Sequence, residues 1–277
     1  MKDIKLIALD LDGTLYREDK TISDRNMEAL KAAADKGIYV VPTTGRVFKR
    51  LSGELYRIPA LRYIIMTNGA SIIDLSTGSY LYYDLMPMKK VRQLLEEFEQ
   101  FDLMPEASVE GRVIVEEQFA SPEKLLEYGI PEGYLEAVLE SNVPVSSLKE
   151  YFRKDRRVEK INIMFRTLEE RQRAKDYFDR DPELKVTSSL KYNLEINTAT
   201  ANKGAGLDFL AKNLGLTREN VMACGDGLND LDMIRYAGLG VAMANGLDIV
   251  KEQADYITLT NEEDGVAAAI EKFCLQR

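Results

Sequence analysis

The sequence predicts an α/β fold in which both ends of the chain form one doubly wound parallel sheet and the middle forms an inserted α+β domain. Apolar segments of strand length alternate with amphipathic helices over the first eighty residues, and the alternation returns after about residue 190. Continuous apolar strands separated by helices are typical of a parallel sheet covered on both faces. We therefore assign 1–82 and 190–277 to a core domain and 83–189 to the insert.

The first part of the chain contains short apolar runs that predict three core strands. These runs are 4–9, 38–41 and 63–66. Between the first two, residues 24–36 have helical periodicity, with Ser23 in the position of an N-cap. A further helix is predicted after Gly45.

The middle block differs in its periodicity. One strongly amphipathic helix has apolar residues Val91, Leu94 and Leu95 on a single face. The runs 112–116 and 160–165 alternate between apolar and polar residues, which predicts half-exposed antiparallel strands. A charged helix is predicted near 168–178.

After residue 190 the pattern again predicts core elements. A helix is expected from Lys203 to Leu214, and a last helix ends the chain. The predicted strands are 221–224, 239–242 and a segment around Ile257.

Composition excludes several classes of function. The net charge of −9 argues against nucleic acid or an anionic membrane as a partner. No apolar stretch approaches the length of a membrane span. Two cysteines and the absence of an apolar leader at the N-terminus predict a reducing, cytoplasmic location. The sequence does not determine the oligomeric state, and a monomer or a weak homodimer is the working expectation.

The chain contains no histidine. This excludes Ser-His-Asp and Cys-His nucleophile pairs, histidine general bases and ordinary histidine zinc sites. Catalysis would have to use carboxylates, hydroxyl groups, lysine and a hard metal ion.

Polar residues cluster where predicted core strands end or a helix begins. The clusters are Asp10 with Asp12, the Thr-Thr-Gly-Arg run 43–46, Lys203, and the Gly-Asp-Gly-Leu-Asn-Asp run 225–230. The carboxyl ends of parallel strands meet at one edge of a sheet, so we expect one site. Asp10 is notable because a charge at the mouth of a buried strand is costly unless it is paired or bound to a metal.

The residue types in these clusters point to phosphoryl transfer. Several carboxylates in one place repel each other and need a divalent cation, and all-oxygen ligands favour Mg²⁺. A threonine hydroxyl, backbone N–H groups beside glycine and one lysine are suitable donors to phosphoryl oxygens. One aspartate can attack while the second serves as acid and base.

Each motif taken alone has a simpler explanation. Asp12-Gly13 is also a turn signal, Thr44-Gly45 also an N-cap, and Lys203 alone also a solvated surface lysine. The Gly225-x-Gly227 pair is a weak dinucleotide fingerprint, because Asp230 stands where a third glycine is needed. No P-loop sequence is present. The joint occurrence of the clusters, in register with the α/β pattern, favours a functional site.

In this order, the motifs resemble those of the haloacid dehalogenase (HAD) superfamily and, within it, of the Cof-type sugar-phosphatase-like hydrolases. The motif stretches are 10–14, 44–46, 203–204 and 225–230, and 67–70, 241–246, 254–257 and 261–266 support the narrower assignment. The resemblance implies a Rossmann-like HAD core and a cap domain over 83–189 that covers the substrate.

The resemblance also implies residue roles. Asp10 would be the nucleophile that forms an aspartyl-phosphate, and Asp12 the general acid and base. Its presence favours phosphatases over dehalogenases, which have no leaving phosphate to protonate. Mg²⁺ would be held by Asp10, the backbone carbonyl of Asp12 and Asp226, with Asp230 in support. The phosphate would be bound by Thr44, Lys203 and Asn229 and by backbone N–H groups of Leu11 and Gly45.

The implied function is a Mg²⁺-dependent phosphatase acting on a small phosphorylated metabolite. A phosphomutase of the phosphomannomutase type, a phospho-acceptor switch and a non-catalytic phospho-ligand binder are the alternatives. Candidate substrate contacts in the insert are Arg112, Lys160 and Asn162, and Arg46 is a further candidate.

Overall fold

A computed structural model describes residues 3–275, which form two compact units. The first unit contains the chain up to Gly45, Ser52–Tyr82 and the chain from Asn202 onward. The second contains Arg46–Leu51 and Tyr83–Ala201. The outermost residues of the predicted core domain, 1–2 and 276–277, lie outside the described residues.

The strands, in chain order, are β1 (Leu6–Leu9), β2 (Tyr39–Pro42), β3 (Tyr63–Met66), β4 (Ser71–Asp74), β5 (Ser79–Tyr83), β6 (Leu103–Val109), β7 (Arg112–Glu116), β8 (Asn142–Val145), β9 (Val158–Phe165), β10 (Leu184–Thr187), β11 (Asn193–Thr198), β12 (Val221–Gly225), β13 (Leu239–Ala242) and β14 (Tyr256–Ile257). The helices are α1 (Asp24–Asp35), α2 (Met88–Glu97), α3 (Pro122–Glu127), α4 (Leu135–Ser141), α5 (Leu148–Tyr151), α6 (Leu168–Phe178), α7 (Lys203–Asn213), α8 (Leu231–Tyr236), α9 (Asp248–Gln253) and α10 (Gly265–Ile270).

The first unit is built on a five-stranded sheet in the order β14-β13-β12-β1-β2, and all of its strand pairs are parallel. The chain leaves β1 toward β2 and later returns on the other side with β12, so the strand order reverses beside β1. Leu6 and Ala8 pack into an apolar cluster that includes residues of α7 and α8. Ile7 and Leu9 point to the opposite face and are also fully buried. The predicted doubly wound α/β core is confirmed.

Local sequence explains where the first helix begins. The Ser23 hydroxyl accepts a hydrogen bond from the Asn26 N–H at 3.1 Å, as the sequence predicts for an N-cap. Asn26 in turn uses its Oδ1 to accept from the Ala267 N–H at the start of α10. The first and last helices of the unit are thereby joined.

One prediction for the first unit is wrong. The described segment between Gly45 and β3 contains no α-helix, because two short 3₁₀ turns, Phe48–Arg50 and Gly53–Arg57, occupy it. Gly53 and the proline at position 59 both disfavour a longer helix.

Strand β3 forms at Tyr63–Met66, as the sequence predicts, but its antiparallel partner β4 was not predicted. It pairs antiparallel with β4 and meets the parallel sheet through a bridge between Thr43 and Ile65. Thr67, Asn68 and Gly69 all have positive φ, which turns the chain back into β4.

The second unit contains a six-stranded sheet in the order β10-β11-β9-β6-β7-β8. Its strands pair antiparallel except β7 with β8, which are parallel. The predicted end of the insert at residue 189 is too early, because β11 hydrogen bonds to β9 and β10. One face of the sheet packs on an apolar cluster that includes Val91, Leu94 and Leu95 of α2 and Phe178 of α6.

No helix in the range 3–275 is both long and apolar enough to cross a lipid bilayer.

Candidate active site

Polar residues gather at the carboxyl edge of the parallel sheet. Asp10 follows β1 directly, and its N–H donates to the Cys224 carbonyl of the neighbouring β12 at 3.0 Å. Asp226 follows β12. Thr44 lies just beyond β2, where its N–H donates to the carbonyl of Ile65 at 2.9 Å. The predicted meeting of strand ends therefore brings these three residues to one edge.

Lys203 lies among the carboxylates of this edge. It is the first residue of α7, whose N-cap Asn202 accepts from the Ala205 N–H at 2.8 Å. Its ammonium donates to Asp10 Oδ1 at 2.5 Å and to Asp230 Oδ1 at 2.6 Å. The side chain is completely buried, so the lysine is not the surface residue that the motif alone would allow.

The start of α7 can lie this deep because the backbone approaches Gly69 closely. A Cβ at Gly69 would lie 2.1 Å from the Asn202 carbonyl oxygen, and the φ of Gly69 is +90°. Both features require glycine.

Asp230 is fully buried and fully engaged. Its Oδ1 accepts from Lys203, and its Oδ2 accepts from the backbone N–H groups of Asp226 and Gly227, each at 2.9 Å. These contacts make Asp230 the support of the lysine and of the loop that follows β12.

Asp226 is oriented by the first motif. The Thr14 hydroxyl donates to Asp226 Oδ1 at 2.8 Å. Gly13 has a φ of +83°, and a Cβ there would lie 2.5 Å from Asp226 Oδ2. The glycine of the Asp-Leu-Asp-Gly-Thr motif is therefore needed both for its backbone conformation and for the close approach of Asp226.

The electrostatics of the cluster are unbalanced. Carboxylate oxygens of Asp10, Asp226 and Asp230 lie within 4.8 Å of one another, and Lys203 supplies one positive charge. Burial and the neighbouring Asp230 raise the pKa of Asp226 to about 6. The same two causes hold the pKa of Asp10 well above its ordinary value. Burial opposes the charged form of Lys203, but its two carboxylate partners outweigh that effect and raise its pKa.

A divalent cation fits this donor set. All three groups offer hard oxygen ligands, and the excess negative charge would be neutralised by such an ion. The arrangement suits Mg²⁺ better than softer metals, which prefer nitrogen or sulfur ligands.

Asp12 is more exposed than Asp10 and Asp230, two carboxylates of the acidic cluster. Its side chain is 33% exposed, and its Oδ1 accepts a hydrogen bond from Lys20 Nζ at 3.1 Å. A partly exposed carboxylate such as Asp12 is suited to act as an acid and base, and a buried one such as Asp10 is suited to act as a nucleophile.

The residues expected to bind phosphate are connected by the turn after β3. The Asn68 N–H donates to the Thr44 carbonyl at 3.1 Å, and the Asn229 amide donates to Asn68 Oδ1 at 3.3 Å. Thr44 is buried, whereas Gly45 is partly exposed. Leu11 is buried, and its carbonyl accepts hydrogen bonds from the N–H groups of Thr14 and Tyr16, at 3.3 and 2.8 Å.

Four residues of this edge were not among the predicted site residues. They are Thr14, Lys20, Asn68 and Asn202. Thr14 and Asn68 lie inside the motif stretches 10–14 and 67–70, so the motifs could have identified both as site residues. Asn202 precedes a helix start, which predicts only an N-cap. Nothing in the local sequence distinguishes Lys20 from a surface lysine.

The candidates in the second unit have different surroundings. Arg112 is exposed at the start of β7. Lys160 is buried and forms an ion pair with Glu195. Asn162 donates to Glu106 Oε2 at 3.1 Å.

Glu106 and Arg46 both have contacts to Arg50. Glu106 is buried and accepts from Arg50 Nη2 at 3.0 Å. Burial raises the pKa of Glu106, but the charge and hydrogen bonds of Arg50 outweigh it and hold the pKa below its ordinary value. Arg46 donates to the Arg50 carbonyl at 3.1 Å and lies over the ring of Tyr134.

Comparison with known proteins identifies close relatives. A family model described as haloacid dehalogenase-like hydrolase matches residues 7–270. The 5-amino-6-(5-phospho-D-ribitylamino)uracil phosphatase YcsE of Bacillus subtilis is 37% identical over 273 residues, which covers 99% of this chain and 97% of the relative. The pyridoxal phosphate phosphatase YbhA of Escherichia coli is 28% identical and covers 96% of this chain and 97% of the relative.

A solved structure extends the similarity to the fold. A haloacid dehalogenase-like hydrolase from B. subtilis superimposes with a TM-score of 0.86 at 28% identity, over 98% of this chain and 100% of that chain. The similarity therefore covers both units.

Proposed function

The chain belongs to the haloacid dehalogenase-like hydrolase family and is a phosphatase, and we propose that it hydrolyses a small phosphomonoester through an aspartyl-phosphate formed on Asp10. The observation that carries this proposal is the buried Lys203, which bridges Asp10 and Asp230 beside Asp226. A buried ammonium, together with a divalent cation held by the neighbouring carboxylates, would neutralise the negative charge of a phosphoryl group at this edge.

The proposed reaction has two displacements at phosphorus. In the first, a carboxylate oxygen of Asp10 attacks, the bond to the leaving oxygen breaks, and Asp12 gives that oxygen its proton. In the second, water attacks the aspartyl-phosphate and loses a proton to Asp12. The Asp10 carboxylate and inorganic phosphate are released, so the enzyme returns to its starting state.

Lys203, Thr44 and Asn229 are proposed to hold the phosphoryl oxygens, together with the N–H groups of Leu11 and Gly45. Asp230 supports Lys203 in this role, because it accepts a hydrogen bond from the ammonium. Thr44 and Asn229 are both bonded to Asn68, which would keep them in register with each other.

We propose Mg²⁺ as the metal, held by Asp10, Asp226 and the backbone carbonyl of Asp12, with Asp230 in support. The support is the all-oxygen donor set and its surplus of negative charge. When bound, the ion would neutralise charge on the transferring phosphoryl group.

Substrate selection is proposed to reside in the second unit. Its sheet carries buried polar and charged side chains, among them Glu106, Lys160 and Glu195, which an apolar core does not require. The relatives are named for a phosphorylated ribitylaminouracil and for pyridoxal phosphate, so we propose a phosphorylated metabolite of that size. Two free cysteines, one of them buried, support a cytoplasmic location.

The function is tested by phosphate release from a panel of sugar, polyol, nucleotide and cofactor phosphates in the presence of Mg²⁺. We expect hydrolysis of at least one small phosphomonoester, and 5-amino-6-(5-phospho-D-ribitylamino)uracil is the first compound to try. Isomerisation of a hexose phosphate without net phosphate release would indicate a phosphomutase instead. A stable phospho-aspartate without turnover would indicate a phospho-acceptor.

Removal of the metal should abolish activity and lower stability. With excess chelator we expect phosphate release to stop. Saturating Mg²⁺ should raise the free energy of unfolding by about 2.7 kcal/mol at a hundredfold excess over Kd. Thermal unfolding with and without Mg²⁺ measures the second effect.

The variant Asp226→Asn should lose this Mg²⁺-dependent stabilisation. Asp248→Asn is the matched control, because Asp248 has a side chain that is 92% exposed. Full activity in chelator, or equal stabilisation of Asp226→Asn and the wild type, would contradict the metal proposal.

A further inference from the structure

Lys20 forms a hydrogen bond with Asp12, the acid and base of the proposed reaction. Its Nζ donates to Asp12 Oδ1 at 3.1 Å, and both side chains are about one-third exposed, at 34% and 33%. The other lysine of this edge, Lys203, is bonded to Asp10 and Asp230. The two aspartates of the first motif are thus each paired with a different lysine.

The backbone at Lys20 is held in an unusual conformation. Its φ is +66°, in the left-handed region that glycine adopts at much lower cost than lysine. A glycine, asparagine or aspartate would serve the turn better. The turn therefore does not require lysine at this position, and the hydrogen bond of its ammonium to Asp12 is the contact that lysine adds there.

The loop that carries Lys20 is fixed at its base. The Arg17 N–H donates to the Thr21 carbonyl, and the Lys20 N–H donates to the Arg17 carbonyl, both at 3.0 Å. Asp19 accepts from the N–H and the hydroxyl of Thr21 at 2.9 and 2.6 Å. The Arg17 side chain is anchored on Asp264 at 3.0 Å. The fixed loop therefore keeps the base of the Lys20 side chain within reach of Asp12.

The reaction makes an unusual demand on Asp12. Its carboxyl group must first reach the leaving oxygen and then the attacking water, in two successive displacements. An aspartate carboxyl group rotates about its Cβ–Cγ bond unless a hydrogen bond fixes one of its oxygens. A hydrogen bond from Lys20 to Oδ1 holds that oxygen and restricts the orientation of the group.

We propose that Lys20 is a positioning residue that orients the Asp12 carboxyl group for proton transfer to the leaving oxygen. This inference rests on the proposed function. It assigns Lys20 no contact with the phosphoryl group, and it makes the contribution of Lys20 depend on how much the leaving group needs a proton.

The test compares two leaving groups. p-Nitrophenolate leaves without a proton, whereas the alkoxide of a sugar or polyol phosphate needs one. For Lys20→Met, which keeps the stem and loses the charge, we expect kcat for the sugar or polyol phosphate to fall about tenfold or more. The KM should stay within about twofold, and kcat for p-nitrophenyl phosphate should change by less than about threefold. Lys20→Arg should recover most of the lost rate.

Two further variants separate positioning from a structural role. Lys20→Gly relieves the backbone strain, so it should be at least as stable as the wild type in thermal unfolding and still show the same leaving-group-dependent loss. Lys31→Met is the surface control, because Lys31 is 64% exposed and paired within its own helix. It should behave as the wild type on both substrates.

The outcomes distinguish this inference from the proposed function. If the wild type hydrolyses neither substrate, the proposed function fails. If the wild type is active and Lys20→Met loses equal kcat on both substrates, loses none, or shows mainly a raised KM, the positioning role of Lys20 is wrong. Full activity of Lys20→Gly on the sugar or polyol phosphate would overturn it as well.

Discussion

Asp10→Asn should reduce phosphate release from every substrate to background, a loss of roughly 10⁴-fold or more. The amide cannot form the acyl-phosphate, and no other carboxylate lies in the same position. Asp230 is occupied by Lys203 and two backbone N–H groups, and Asp226 is bonded to Thr14. Neither can replace the nucleophile without breaking these contacts.

The same variant should fold as well as the wild type. Asp10 shares its surroundings with two other carboxylates, and burial and Asp230 raise its pKa. Removal of its charge therefore relieves repulsion, and in chelator the midpoint of thermal unfolding should be equal or higher.

Phosphate release and thermal unfolding, measured on the same preparation, check both effects. Asp35→Asn is the control, since Asp35 is 65% exposed and pairs with Lys31 on the surface of α1. It should be fully active. Hydrolysis by Asp10→Asn at more than about a hundredth of the wild-type rate would rule out Asp10 as the nucleophile.

Lys203→Met should destabilise the protein by about 3–5 kcal/mol and abolish activity. Lys203 is completely buried between Asp10 and Asp230. The variant leaves both carboxylates buried without their cation, which costs far more than the loss of a surface ion pair. The free energy of unfolding from urea titration, measured in chelator, gives the size of the effect.

A double variant identifies buried charge as the cause. Lys203→Met combined with Asp230→Asn removes one of the two buried carboxylate charges that lose their cation. The double variant should therefore regain part of the free energy of unfolding but none of the activity. Lys212→Met, on the exposed face of the same helix, is the control, because its side chain is 72% exposed. If Lys203→Met proves as stable as Lys212→Met, the buried bridge does not contribute as proposed.

Much of the fold could be predicted because its signals are local. The apolar runs of β1, β12 and β13 and the helical periodicity of α1 depend on neighbouring residues. Two features were missed for different reasons. The positive φ at 67–69 turns β3 back onto β4, and the periodicity of β3 does not reveal this turn. Strand β11 pairs with β9 across about thirty residues of chain, which no local pattern reveals.

The sequence predicted which residues form the candidate site, but not which of them hydrogen bond to one another. Asp10, Lys203 and Asp226 were selected by their motif positions, and the family assignment is confirmed. Their individual catalytic roles stay predictions. Asp230 was expected as a supporting metal ligand, and its hydrogen bonds to Lys203 and to the loop after β12 became visible only in three dimensions.

The sequence by itself determined the α/β class, the absence of histidine chemistry and the choice of carboxylates, lysine and hydroxyl groups for the site. These properties follow from composition and from periodicities of two to four residues. The tertiary structure alone decided which lysine serves which aspartate. Lys203 reaches Asp10 across 193 residues of chain, and Lys20 reaches Asp12 from a left-handed turn. Such pairings depend on how strands and loops come together in space, which local sequence does not specify.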